Sequence, residues 1–264
     1  MSFFFSLPSW ALALLVLGVI GGATSAGYAI GRRFHEHHAA LKEPFGVLQG
    51  ALLGIVGLIL AFGLSLALGR YEDRRAATVA EANAIGDTFL RAQLLADPAR
   101  IHSIRLLRRY TGLALEISKE IPGSSGMNRT TAAEGAIQRQ LWRAAGESIA
   151  AAPQASAPRL YVDSLNGMID AQASRLSALT NRVPTEVFAL EVVGASIALG
   201  MLAAHISILG RGLVALFGAA ALVTLLLLTT FDLDRPTRGV IRVPDTPFVQ
   251  LRAFMTLPPA APGP

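Results

Sequence analysis

Four stretches are apolar over enough residues to make a membrane-spanning helix: Trp10 to Ile30, Gly46 to Gly69, Val187 to Leu209 and Leu213 to Phe231. Such a helix needs about 20 residues, because each adds 1.5 Å against a hydrocarbon core of about 30 Å. The first two stretches carry no charge, the third is interrupted by Glu191 and His205, and the fourth is almost purely aliphatic. The first has a second reading as a cleaved signal peptide, with small residues around Ala23 to Ala26. A retained helix is the stronger expectation, because no lysine or arginine precedes Trp10 and the apolar run continues past that point.

These spans predict two hairpins, residues 1–69 and 186–231, with a short polar loop from Arg32 to Phe45 and a tight turn at Gly210 to Gly212. Between them, over residues 70–185, charge rises and long apolar runs vanish, which predicts a soluble domain. Its periodicity is helical throughout. After Gly69 no breaker intervenes, and Thr78, Ala82, Ile85 and Phe89 continue a stripe supported by the i,i+4 pair Asp87 and Arg91. The second membrane helix is therefore expected to run from about Gly46 to Leu95, roughly 75 Å at 1.5 Å per residue. Asp97-Pro98 restarts a helix, with Asp as cap and Pro in the first turn. Pro122 to Gly126 ends it, a third helix covers about Thr131 to Ala150, and a Pro/Ala/Ser linker near Ala152 to Pro158 leads into a fourth that Pro184 breaks. The predicted class is all-α. Residues 232–264, rich in Pro and Arg, are expected to form an irregular tail.

Composition agrees with this reading. Of 264 residues 52% are hydrophobic and 16% charged, against about 25% charged in soluble domains. With no cysteine, disulfides and thiol chemistry are excluded. The net charge of +5 suits anionic headgroups, so the expected partner is a lipid bilayer and not nucleic acid. Arg70, Arg74, Arg75, Arg175, Arg182, Arg235, Arg238 and Arg242 outweigh Arg32, Arg33, Lys42 and Arg211 across the membrane. That bias predicts a soluble domain in the cytoplasm, and the expected location of the chain is a bacterial inner membrane.

Several residues invite a functional reading beside a structural one. Gly46, Gly50 and Gly54 form a double GxxxG, with further pairs at Gly18/Gly22 and Gly27/Gly31, and small residues let helix backbones approach closely. Ile55, Ile59, Phe62 and Leu66 form a ridge that could constrict a pore, or could simply face lipid or a bundle core. Glu191 is a candidate for an ion or proton path, against snorkelling or pairing with Arg182. His205 is a second intramembrane ionisable group, against a structural hydrogen bond. Arg70, Arg74 and Arg75 could hold headgroups, pair with Glu72 and Asp73, or attract anions. Glu81 and Asn83 are expected to face a bundle or a subunit interface. His35-Glu36-His37-His38 is metal-like, but no second ligand cluster accompanies it. Phosphate-binding loops, HExxH and serine-nucleophile motifs are absent, so no enzyme, cofactor or metal centre is expected.

The string from Arg70 to Leu95 contains Arg70-Tyr71, Arg74-Arg75, Glu81-Ala82-Asn83-Ala84-Ile85-Gly86 and Leu90-Arg91, and Asp232-Leu233-Asp234-Arg235-Pro236 with Gly239 closes the last span. In order and spacing these motifs resemble the bestrophin-like membrane family. Asp87 departs from the family pattern, where a small residue such as Thr is expected. True bestrophins are pentameric anion channels, so the resemblance implies a homo-oligomer that conducts anions. The alternative is a non-conducting scaffold or sensor whose helical domain binds a partner.

Overall fold

The computed structural model describes residues 8–34, 42–209 and 212–260. Among the described residues there is no strand, and the elements are α1 (Ser9–Phe34), α2 (Lys42–Ala92), α3 (Ala99–Ile117), α4 (Ser125–Ala151), α5 (Ser156–Thr180), α6 (Thr185–Leu209), α7 (Leu213–Leu233) and α8 (Thr246–Phe254). Four of the helices are long and apolar enough to cross a membrane. The His35 to His38 cluster lies outside the described residues.

The chain forms two compact units. The first comprises residues 1–71 and 182–241, the second residues 72–181 and 242–264. Helix α2 is unbroken for 51 residues and contributes to both.

In the first unit, Val16 and Ile20 of α1, Ala195, Ala198 and Leu199 of α6, and Leu227 and Phe231 of α7 are buried together with Val56 and Leu60 of α2. Phe188 and Phe231 meet edge to face with centroids 4.7 Å apart. Helices α1 and α6 approach until Gly27 lies against Gly200 and Gly31 against Ala204. The outer surface of this unit is also apolar: Trp10, Leu14, Val214, Phe217 and Leu225 are all exposed. Water would penalise such a surface, whereas lipid would not, so this unit is built for a bilayer.

The second unit packs the end of α2 with α3, α4, α5 and α8 around Ile85, Phe89, Leu107, Tyr110, Leu141, Tyr161, Leu165 and Phe248. Local chemistry sets the helix ends. Ser124 accepts a hydrogen bond from the Met127 amide at 3.1 Å, so α4 starts at Ser125, about two turns earlier than the periodicity suggests. Arg74 is fully buried and donates to the carbonyls of Ala178 (3.3 Å) and Asn181 (2.9 Å), closing the C-terminus of α5.

The tail differs from the irregular chain expected of it. Residues Thr246–Phe254 form α8, because Pro247 suits a first helical turn and Phe248, Leu251 and Met255 recur at helical spacing and are buried. The Arg108 guanidinium donates to the Met255 carbonyl at 2.7 Å, and Gly86 of α2 faces Leu251.

Candidate functional site

Glu81 occupies the centre of a polar network inside the second unit. Its Oε2 accepts from Arg175 at 2.9 Å, and its Oε1 lies 3.5 Å from the Tyr110 hydroxyl. Arg175 also donates to the Ala114 carbonyl at 3.0 Å and to the Ser118 hydroxyl at 2.7 Å, and its guanidinium stacks over the Phe248 ring at 4.5 Å. Gln138 donates to the Tyr110 oxygen (3.1 Å) and to Gln172 (2.9 Å), and Gln172 donates to Glu134 at 2.6 Å. Residues from α2, α3, α4, α5 and α8 thus meet at one cluster. Glu81, Tyr110 and Glu134 are fully buried, and Arg175 is 1% exposed.

The electrostatics follow from that burial. Desolvation raises the Glu81 carboxyl above its ordinary range, with the charge and hydrogen bond of Arg175 pulling against it. Burial, together with the Glu81 charge, pushes Glu134 up to about 8. Burial and the two nearby carboxyls also raise Tyr110, which keeps its phenol a donor. At neutral pH burial therefore favours the protonated form of Glu134.

A pH dependence follows with a definite sign. The folded value of Glu134 lies above the ordinary 4.5, so between pH 4.5 and about 8 the folded chain keeps a proton that the unfolded chain has lost. The contribution of Glu134 to stability falls as pH rises through that window. Glu134→Gln is expected to flatten this decline by the share Glu134 contributes, and Glu81 adds a slope of the same sign. Thermal unfolding in detergent from pH 5 to 9 checks it, and an unchanged profile in the variant would refute the assignment.

The remaining candidate residues separate. Asn83 is exposed, as is Arg75, which pairs with Glu72 at 3.6 Å, while Arg70 is half-buried. Ile55, Phe62 and Leu66 are 58%, 65% and 37% exposed on the single chain, and Ile59 is half-buried. Gly50 and Gly54 face open space, and Gly46 faces His205, whose Cε1 would lie 3.5 Å from a Cβ there. Glu191 is 1% exposed, and among the described residues neither carboxyl oxygen has a hydrogen-bond partner. It sits on Gly63 of α2, where a Cβ would come within 2.6 Å of its Cδ. No group of three or more metal-ligating side chains occurs among the described residues.

The closing motif has a clear local task. The Asp232 carboxylate accepts from the amides of Val240 (3.0 Å) and Ile241 (2.7 Å), and Asp234 accepts from the Val183 amide at 3.2 Å. A Cβ at Gly239 would lie 2.7 Å from the Asp232 Cγ, so a side chain there would displace the carboxylate that holds this return. A family model for the bestrophin-like domain matches residues 5–248. The chain belongs to the bestrophin-like family. No curated protein and no solved structure matches it.

In this bestrophin-like chain the two motif strings thus have physical counterparts. Glu81, Ala82 and Ile85 face the core of the second unit, and Asp232 with Gly239 folds the chain back after α7. The partners of Glu81 were not picked out as site residues by sequence reasoning. A signal existed in α5, where Gln172 and Arg175, i and i+3, interrupt an otherwise apolar stripe through Leu165, Met168 and Leu179. Tyr110, Glu134 and Gln138 carried no comparable cue.

Proposed function

We propose that this bestrophin-like multi-pass membrane protein assembles into a homo-oligomer that conducts anions, with α2 of each copy facing the axis. The observation that carries the reading is the free face of α2. Phe62, Ile55 and Leu66 share one exposed stripe of α2, and a different part of its circumference carries Gly50, Gly54 and Gly57, where added Cβ atoms would meet nothing. Glycines let helix backbones approach in lipid, and bulky apolar side chains converging on an axis gate by dewetting. Family membership supports the anion as the permeant species. The arginine bias supports a second unit on the cytoplasmic side.

Phe62→Ala with Leu66→Ala is expected to raise chloride conductance in proteoliposomes by widening the constriction. Unchanged flux through a correctly assembled protein would sink the pore assignment. Mass measurement in detergent supplies the independent check: a ring of several copies supports the channel, and a monomer with no flux favours the scaffold reading.

A further inference from the structure

Helices α3 and α4 run antiparallel in the second unit, since Ile117 packs with Met127 at one end while Ile101 and Ala151 meet at the other, and that other end opens into two adjoining hollows. One has a volume of about 690 Å³ and a mostly apolar wall that includes Leu95, Ile101, Ala144, Ala151 and Pro158. The other, about 490 Å³, runs along α4 past Arg139, Gln140 and Arg143. His102, Ala144 and Glu147 line both.

The charge around this groove is unbalanced. Arg105 lines the apolar hollow, and Arg139 and Arg143 line the second. Among the described residues these three guanidiniums make no ion pair. The two carboxylates present are Asp97, held by Arg100 at 2.8 and 3.1 Å, and Glu147. Three arginines and a histidine thus face one uncommitted carboxylate. The Ser148 hydroxyl, on the apolar wall, has no hydrogen-bond partner among the described residues. Sites for small molecules have this construction: a concave apolar wall in the range of about 300–1,000 Å³ with a few convergent polar groups.

We propose that this groove binds a small organic anion with an apolar body. The body fills the hollow beside Leu95, Ile101 and Pro158. The anionic head, a phosphate or carboxylate, lies toward Arg105 and Arg143, whose planar donors match either group. The site lies wholly within the second unit, so it stands whether or not the protein conducts ions.

Calorimetric titration of the full chain in nanodiscs with 1-naphthyl phosphate tests the proposal, with empty nanodiscs subtracted. Saturable binding is expected, about tenfold or more tighter than that of 1-naphthol or of inorganic phosphate alone, since each lacks half of the recognised chemistry. Arg105→Gln with Arg143→Gln should weaken it by about tenfold, and Ile101→Trp, which fills the hollow, by a similar factor. All three positions are exposed, so helicity and particle size should be unchanged. No saturable binding would overturn the proposal, as would equal affinity for inorganic phosphate, or variants that bind like the parent. The ligand comparison uses the unaltered chain and decides the matter even if a variant fails to fold.

Discussion

Arg175→Met is expected to cost about 3–5 kcal/mol of stability, the largest effect of any single substitution in the second unit. The reason lies less in the bonds lost than in what remains. Removing the guanidinium leaves the Glu81 carboxyl fully buried with only the Tyr110 hydroxyl at 3.5 Å, and takes a donor from the Ser118 hydroxyl and from the Ala114 carbonyl, which keeps Ser118 at 3.3 Å. A buried carboxylate without a countercharge has one inexpensive recourse, which is to take up a proton. The variant should therefore lose most stability at high pH and recover part of it in acid. Glu81→Gln combined with Arg175→Met should cost less than Arg175→Met alone, because the orphaned charge is gone. Urea or thermal unfolding of the two variants and the parent measures this ordering. If the double variant is the less stable, an orphaned Glu81 charge is not what destabilises Arg175→Met.

That network also shows where reading the sequence stops. Membrane spans are legible because lipid demands a long apolar run, and the four runs emerge as helices with ends near those expected. The continuity of α2 was legible as well, since no proline interrupts the stripe through Ala82, Ile85 and Phe89. Glu81 was visible as a polar residue on that stripe. Its partners were not, because Arg175 lies 94 positions away and nothing local reports a contact across the bundle. Periodicity also missed α8, whose nine residues are too few to establish a period among the prolines and arginines around it. Arg74 looked like part of a charged collar but is buried at the end of α5, where open helix carbonyls accept from it. Local patterns report what an element is, and burial of charge reports what it meets.

In the first unit, Gly27→Ala should destabilise the packing of α1 on α6 by about 1–3 kcal/mol, while Gly18→Ala and Gly22→Ala should be neutral or slightly stabilising. All three lie on one helix and all belong to small-xxx-small pairs, so composition does not separate them. The environment does. A Cβ at Gly27 would stand 2.8 Å from the Gly200 Cα and closer still to that residue's carbonyl, well inside the 3.5–4.0 Å of a favourable carbon contact. Those atoms are backbone, so no side-chain rotation can relieve the overlap and the two helices must separate. Gly31 meets Ala204 in the same way, with a Cβ 2.8 Å from its Cα, so Gly31→Ala should add to the loss. At Gly18 and Gly22 nothing lies within 4 Å, and alanine there brings only its better helix propensity. Thermal unfolding in detergent, compared across the four single variants, separates the sites. Equal effects at Gly18 and Gly27 would mean that the glycines act through helix flexibility instead of close approach. A loss confined to Gly27 and Gly31 would establish that these two contacts set the distance between α1 and α6.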